Sequence, residues 1–327
     1  MTDVLVTGGT GFIGAYLVRG LVSRYGKVRV FDNDFRGSIS NLADISGCVE
    51  LIQGDIRDIN VVRRAVDGIK TVYHLAFVNG TEHFYKQPKL VLDVGVRGTM
   101  NILDAAIEQG VSNFIFASSS EVYQTPTIIP TPESVSMSIP DPLNSRYSYA
   151  GGKLIGELLT LHYTQGSSMR RIIFRPHNIY GPCMGWEHVV PQLLRKIGEA
   201  SDQFRKKEAE IVIQGSGKET RAFCFIEDAV EGILLCAQKG QDGNIYHLGK
   251  DEEVSILDLV SKIAAILGIK VHLQTSPLMA GGTPRRCPDI SRLKTLGYNP
   301  KISLDEGLRR TVEWYKERLL HDKDKKV

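Results

Sequence analysis

Thr7-Gly8-Gly9-Thr10-Gly11-Phe12-Ile13-Gly14 (TGGTGFIG) stands directly after the short apolar run Val4-Leu5-Val6 and runs straight into the helical pattern Ile13 to Arg24. Glycine has three uses in such a place. It allows a tight turn, lets the backbone approach a pyrophosphate and permits close helix-to-strand packing, while the helix N-terminus offers free amides and a positive dipole end. Between a strand and a helix the pattern reads as the phosphate cradle of a dinucleotide-binding fold. Working outward, Val28 to Phe31, Val49 to Gln53, Thr71 to Leu75, Asn113 to Ala117 and Ile172 to Phe174 read as further strands, with helices at about Arg97 to Gln109 and Tyr149 to Tyr163. This alternation predicts βαβ units and a doubly wound parallel sheet of the Rossmann type, in the α/β class.

A chain of 327 residues exceeds a typical single-domain core. Ala229 to Ala237 and Ile245-Tyr246-His247-Leu248 read as a return to the sheet after an irregular stretch that begins at Pro176. The expected division is therefore a dinucleotide-binding domain of 1–175 plus about 222–248, and a smaller, discontinuous substrate lobe of about 176–221 plus 249–320. Glu199 to Glu210 (EASDQFRKKEAE) reads as a charge-dense helix with a solvated face, and 321–327 (HDKDKKV) as a frayed tail.

Apolar residues make up 42% and charged residues 24%, the balance of a globular protein with a real core. A net charge of +3 is too small to imply nucleic acid or an anionic membrane as partner. The five cysteines are scattered and lack a close C-x-x-C pair, so neither a zinc site nor a disulfide framework is expected. With no basic segment ahead of the first apolar run and no run near eighteen apolar residues, the address reads as cytoplasmic.

Asp32 closes the second strand, where a carboxylate accepts bonds from the adenosine ribose hydroxyls. That favours NAD over NADP, since a 2′-phosphate would meet a like charge; Arg36 nearby keeps the alternative open. Asp55, after the third strand, is placed to meet the adenine amino group. Tyr149 and Lys153 are four residues apart on one helix face. A phenol of pKa near 10 works as a base at neutral pH only if a neighbouring positive charge stabilises the phenolate, and an adjacent ammonium supplies one.

Together TGGTGFIG, Asp32, the segment Ala117-Ser118-Ser119-Ser120-Glu121-Val122-Tyr123 and the pair Tyr149 and Lys153 resemble the extended short-chain dehydrogenase/reductase family. More narrowly they resemble its NAD-dependent epimerase/dehydratase group, which acts on nucleotide sugars. The likeness continues through Arg175 to Pro182, Gly215 to Arg221 and Arg285 to Asp289. It implies a cofactor site of Gly8, Gly11, Phe12, Ile13, Gly14, Asp32, Asn33, Arg36, Asp55, Ile56, Leu75, Ala76, Tyr149 and Lys153. It implies catalysis by Tyr149, Lys153, Ser119 and Glu121, and a diphosphate-sugar site of Ser119, Ser120, Asn178, His188, Val189, Arg221 and Arg286. The substrate it implies is a nucleotide-diphosphate sugar, UDP before GDP, dTDP or CDP. It also implies a homodimer through the helices around Arg97 to Gln109 and Tyr149 to Tyr163, which Gly151 and Gly152 would allow to pack closely.

Epimerisation at carbon 4, by transient oxidation to a 4-keto sugar and re-reduction, is the leading expectation, because it needs only the residues so far assigned. Glu121 and Arg286 keep dehydration and decarboxylation open, because dehydratases and decarboxylases of the family commonly carry a carboxylate at the first position. The runs Asn144 to Tyr149 and Arg285-Arg286-Cys287-Pro288 resemble UDP-glucuronate decarboxylases. A steroid- or flavonoid-type reductase and a non-catalytic dinucleotide sensor share the cofactor fold. Five positions depart from the family pattern. Gly95 replaces a usual asparagine, Gln124 a usual glycine and Ala222 a usual aspartate, and Gly151-Gly152 interrupts the catalytic helix at about 1 kcal/mol per glycine.

Overall fold

The structure, a computed structural model, describes residues 2–277 and 283–324. β1 (Val4–Thr7), β2 (Val28–Asp32), β3 (Val49–Gln53), β4 (Thr71–His74), β5 (Asn113–Ala117), β6 (Arg170–Pro176) and β7 (Asn244–Leu248) form one seven-stranded sheet in the order β7-β6-β5-β4-β1-β2-β3. Every pairing in it is parallel. Residues of β1 alternate between two cores: Val4 and Val6 enter one and Leu5 the other. Burial on both faces is what a parallel sheet requires, because its crossover helices lie on both sides.

α1 (Phe12–Tyr25) and α6 (Ile226–Lys239) pack together and feed the first core. α2 (Ile59–Val66), α3 (Thr99–Glu108) and α4 (Ser148–Leu158) bury residues in the second core, on the other side. α5 (Val189–Ala200), α7 (Ile256–Leu267) and α8 (Leu304–Asp324) add their apolar faces to the first core. The strand order reverses between β1 and β4. At such a switch point the connections leave in opposite directions and open a crevice at the carboxyl ends.

Three expectations change. The helix expected from Arg97 begins earlier, at Pro88–Leu92, and passes through a π-helical turn, Asp93–Gly98, into α3. Proline at its first turn explains the start, since the missing amide has no partner there in any case. The charged segment 199–210 is not a helix: α5 stops at Ala200 and a strand runs Glu208–Gln214. Asp202, Gln203 and Phe204 all take positive φ, the Ser201 hydroxyl accepts from Phe204 N, and the Phe204 ring lies against Gly198. Beyond them Ala209, Ile211 and Ile213 alternate inward with exposed neighbours, pairing in parallel with Lys270–Ser276. Lastly, α8 runs on to Asp324, so helix occupies the first part of the expected tail; residues 325–327 lie outside the described residues. Among the described residues no helix is long and apolar enough to cross a membrane.

Candidate active site

The carboxyl ends of the central strands open into a cleft of about 670 Å³. At one end lies the glycine cradle. Gly8 has φ +71°, and a Cβ there would sit 2.8 Å from Ala76 N; a Cβ on Gly14 would collide with the Gly8 carbonyl oxygen. Neither position admits a side chain. Asp32 accepts from Thr10 N at one oxygen and Asp34 N at the other, both at 2.9 Å, which fixes the carboxylate at the end of β2. Arg36 turns away from it to an ion pair with Glu187. A bare glycine wall and a held carboxylate, with the nearby Arg36 engaged by Glu187, fit NAD better than NADP. Asp55 is gripped by Arg57, Nε to Oδ1 at 3.0 Å and Nη2 to Oδ2 at 2.7 Å, and also faces Asn33.

Above β4 and β5 stand Tyr149 and Lys153 on α4. Tyr149 stacks on Phe84 at 4.8 Å and meets the edge of Phe77 at 5.1 Å. Burial pushes its phenol up; the Ser119 hydroxyl and Arg36 oppose the rise, and Glu121 adds to it. Lys153 is 3% exposed and donates to the Ala117 carbonyl at 2.6 Å. Its burial pulls it down to about 7, with Glu157 opposing. Ser119 caps the short turn Ser120–Tyr123 by accepting from Glu121 N at 3.1 Å, so β5 runs directly into Ser119 and Glu121, which act on the Tyr149 phenol. Beneath them His74 is held between the Thr7 and Thr99 hydroxyls, and burial takes it down to about 3, so it is neutral.

The far end is ionic. Arg286 Nη1 reaches Glu121 Oε1 at 2.5 Å, with the two side chains 11% and 26% exposed. Burial alone would raise the Glu121 carboxyl, but Arg286, Arg146 and Arg221 outweigh it and hold it below the usual carboxylate range. Asn178, at φ 42°, donates its amide to the Ala222 carbonyl at 3.2 Å. His188 lies at the N-terminus of α5, and burial lowers it to about 4.

Of the residues expected from sequence, all line this cleft except Val189 and Arg221. Val189 packs its side chain against the core instead. Arg221 spends its guanidinium on the Thr220 and Thr283 carbonyls, both at 2.7 Å, and reaches the cleft only through its charge. The space left by Gly95 is filled by Phe77, whose Cζ a Cβ at 95 would strike. Phe77, Phe84, Arg146 and Glu187 also line the cleft and were not expected there. Arg146 lies in the run Asn144 to Tyr149, which carries the likeness to UDP-glucuronate decarboxylases; the others have no local mark, since their places depend on distant contacts.

Comparison with known proteins gives the same reading. The chain is 32% identical to UDP-glucuronic acid decarboxylase 1 of Arabidopsis thaliana, over 99% of this chain and 72% of that one. It is 31% identical to UDP-N-acetyl-alpha-D-glucosaminuronate decarboxylase of Bacillus cytotoxicus, over 96% and 97% of the two chains. Its fold matches the crystal structure of UDP-glucose 4-epimerase from Thermotoga maritima with UDP-glucose, at TM-score 0.86 and 26% identity, over 97% and 99%. The model of the NAD dependent epimerase/dehydratase family matches residues 4–249. With the glycine cradle, the held Asp32 and the Tyr149 and Lys153 pair in one cleft, the chain is an NAD-dependent enzyme of the extended short-chain dehydrogenase/reductase type and belongs to the NAD dependent epimerase/dehydratase family.

Proposed function

We propose that the enzyme decarboxylates a nucleotide-diphosphate hexuronate, UDP-linked before GDP, dTDP or CDP, through a 4-keto sugar. The observation that carries this reading is the Glu121–Arg286 pair in the cleft with Tyr149. A neutral hexose gives a sequestered guanidinium nothing to do, whereas a sugar carboxylate is the planar partner that arginine binds at two points. The likeness to two uronic-acid decarboxylases supports it. The cradle of Gly8 to Gly14 with Asp32 would hold NAD, whose nicotinamide supplies a hydride acceptor at carbon 4 of the sugar. The segments 176–221 and 249–320 would close over the nucleotide diphosphate, with Ser119, Ser120, Asn178 and His188 facing it.

Tyr149, ionised with the help of the Lys153 charge, takes the proton of the 4-hydroxyl and Ser119 holds the resulting ketone oxygen. The carboxylate at carbon 6 is then β to a ketone. Its bond to carbon 5 breaks, the electron pair moves into the ketone as an enolate, carbon dioxide leaves and carbon 5 takes a proton; return of the hydride to carbon 4 and of the Tyr149 proton to its oxygen would then close the cycle on a pentose. When the sugar carboxylate occupies Arg286, Glu121 loses its closest cation and faces a like charge, so its pKa rises and it becomes able to carry that proton.

A second reading, 4-epimerisation, uses Tyr149 and Lys153 and leaves Arg286 to the diphosphate but Glu121 without work; the fold likeness to a 4-epimerase favours it. Mass spectrometry of products from a panel of nucleotide sugars separates the two. Loss of carbon dioxide from UDP-glucuronate supports decarboxylation, and unchanged mass with inverted carbon 4 supports epimerisation. Loss of water would mark a dehydratase. A steroid- or flavonoid-type reductase or a dinucleotide sensor would leave every nucleotide sugar untouched. The enzyme is further proposed to act as a homodimer through the faces of α3 and α4.

A further inference from the structure

Lys153 is a buried cation with few partners. Its ammonium donates to the Ala117 carbonyl at 2.6 Å, while the nearest carboxylate on its own helix, Glu157, is already claimed. Glu157 takes Arg175 at both oxygens, at 2.7 and 2.6 Å, and also the Ser118 hydroxyl. From β4 the ammonium is faced by His74, which is neutral, and from α4 by the Tyr149 ring at 5.8 Å. From β5 comes the Phe116 ring at 5.2 Å. The closest aromatic neighbour is Phe77, whose ring centroid lies 4.0 Å from Nζ.

Phe77 is held there by two absences of side chain. A Cβ on Gly95 would strike its Cζ, and one on Gly152 would stand 3.0 Å from the same atom. Gly95, on the π-helical turn, and Gly152, beside Lys153, therefore make a notch for one ring. That ring also sets its edge against Tyr149 at 81°.

We infer that Phe77 is a positioning residue whose ring face holds the Lys153 ammonium beside Tyr149, in the space that a side chain at position 95 would otherwise occupy. An aromatic face attracts a cation through its quadrupole, most strongly when water is excluded. The attraction favours the protonated amine and so opposes the downward pull of burial on Lys153. The inference rests on Tyr149 and Lys153 being the working pair, but not on the identity of the sugar.

The test reads Lys153 itself. The NAD-loaded enzyme, without any sugar, is labelled with ¹³C at lysine Cε, and the Lys153 signal is assigned by its absence in Lys153→Met. Its titration midpoint is followed in Phe77→Leu, in Phe77→Tyr and in a series with progressively fluorinated phenylalanine at position 77. Fluorine drains the ring face with little change of shape, so the series folds even where leucine does not. The midpoint is expected to fall stepwise with fluorination, by about one pH unit in Phe77→Leu, and to stay in place in Phe77→Tyr. A midpoint that ignores fluorination would overturn the inference and leave Phe77 as packing alone. Because no sugar is present, failure here is distinct from failure of the decarboxylase reading, which shows as no carbon dioxide released.

Discussion

Tyr149 is stacked on one ring and edged by another, so its hydroxyl is aimed by packing before any substrate arrives. Because burial pushes its pKa up, ionisation at neutral pH needs a neighbouring positive charge, the role proposed for Lys153. Tyr149→Phe keeps the ring and removes the proton acceptor. Turnover should fall roughly 10² to 10⁴-fold while NAD affinity by calorimetry stays nearly unchanged. A variant with near-normal turnover defeats the assignment. Glu121 carries a pH prediction. Its carboxyl is held below the usual range by Arg286, Arg146 and Arg221, so the folded state binds this proton less readily than the unfolded chain. The stability it contributes is therefore present above about pH 4.3, the unperturbed value, and lost as pH falls through the lower folded value. Denaturant unfolding of wild type should show that decline on acidification, and Glu121→Gln should flatten it; identical acid limbs would show that the pair contributes nothing.

At the scale of elements, α4 delivers two functional side chains to the cleft and is fastened to β6 behind them. Glu157 and Arg175 are 1% and 2% exposed, and Arg175 also reaches the Tyr123 hydroxyl. Removing one partner leaves the other as an unpaired buried charge, so Arg175→Met should cost about 3–5 kcal/mol in denaturant unfolding. Replacing both with apolar residues should recover much of that, and equal losses would mean the helix is held by packing instead. The sheet strands were legible because each is a short β-branched run bounded by turn residues, and the cradle because three glycines between strand and helix have a physical use. The segment 199–210 misled because its charges hid an alternation, Ala209, Ile211 and Ile213, that needed a partner strand sixty residues away to become meaningful. Phe77 was illegible for a related reason. Its place depends on Gly95 and Gly152, and a glycine in a sequence does not announce what fills the space beside it.

At the scale of the whole molecule, α3 and α4 lie on the same side of the sheet and each carries exposed apolar residues. Ile107 on α3 and Ile155 and Leu158 on α4 are all exposed, Leu158 at 46%. Tyr163, just beyond α4, is exposed too and reaches across to Asp104 at 2.8 Å. Gly151 belongs to the same stripe as Ile155 and Leu158, at helical spacing. A Cβ on Gly151 would find only Ile139, at an ordinary 3.8 Å, so among the described residues nothing demands glycine there. In the proposed homodimer a second copy packing α3 and α4 against their own symmetry mates would supply the demand: an isologous interface would bury the stripe on both sides and let two helices approach closely at the glycine. Sedimentation at micromolar concentration should therefore give a dimer. Leu158→Glu, which puts a charge at the centre of the stripe, should shift it to monomer, while the NAD affinity stays in place because the cleft opens elsewhere, at the carboxyl ends of the strands. A wild-type monomer, or a Leu158→Glu dimer of undiminished affinity, would remove the interface from these two helices.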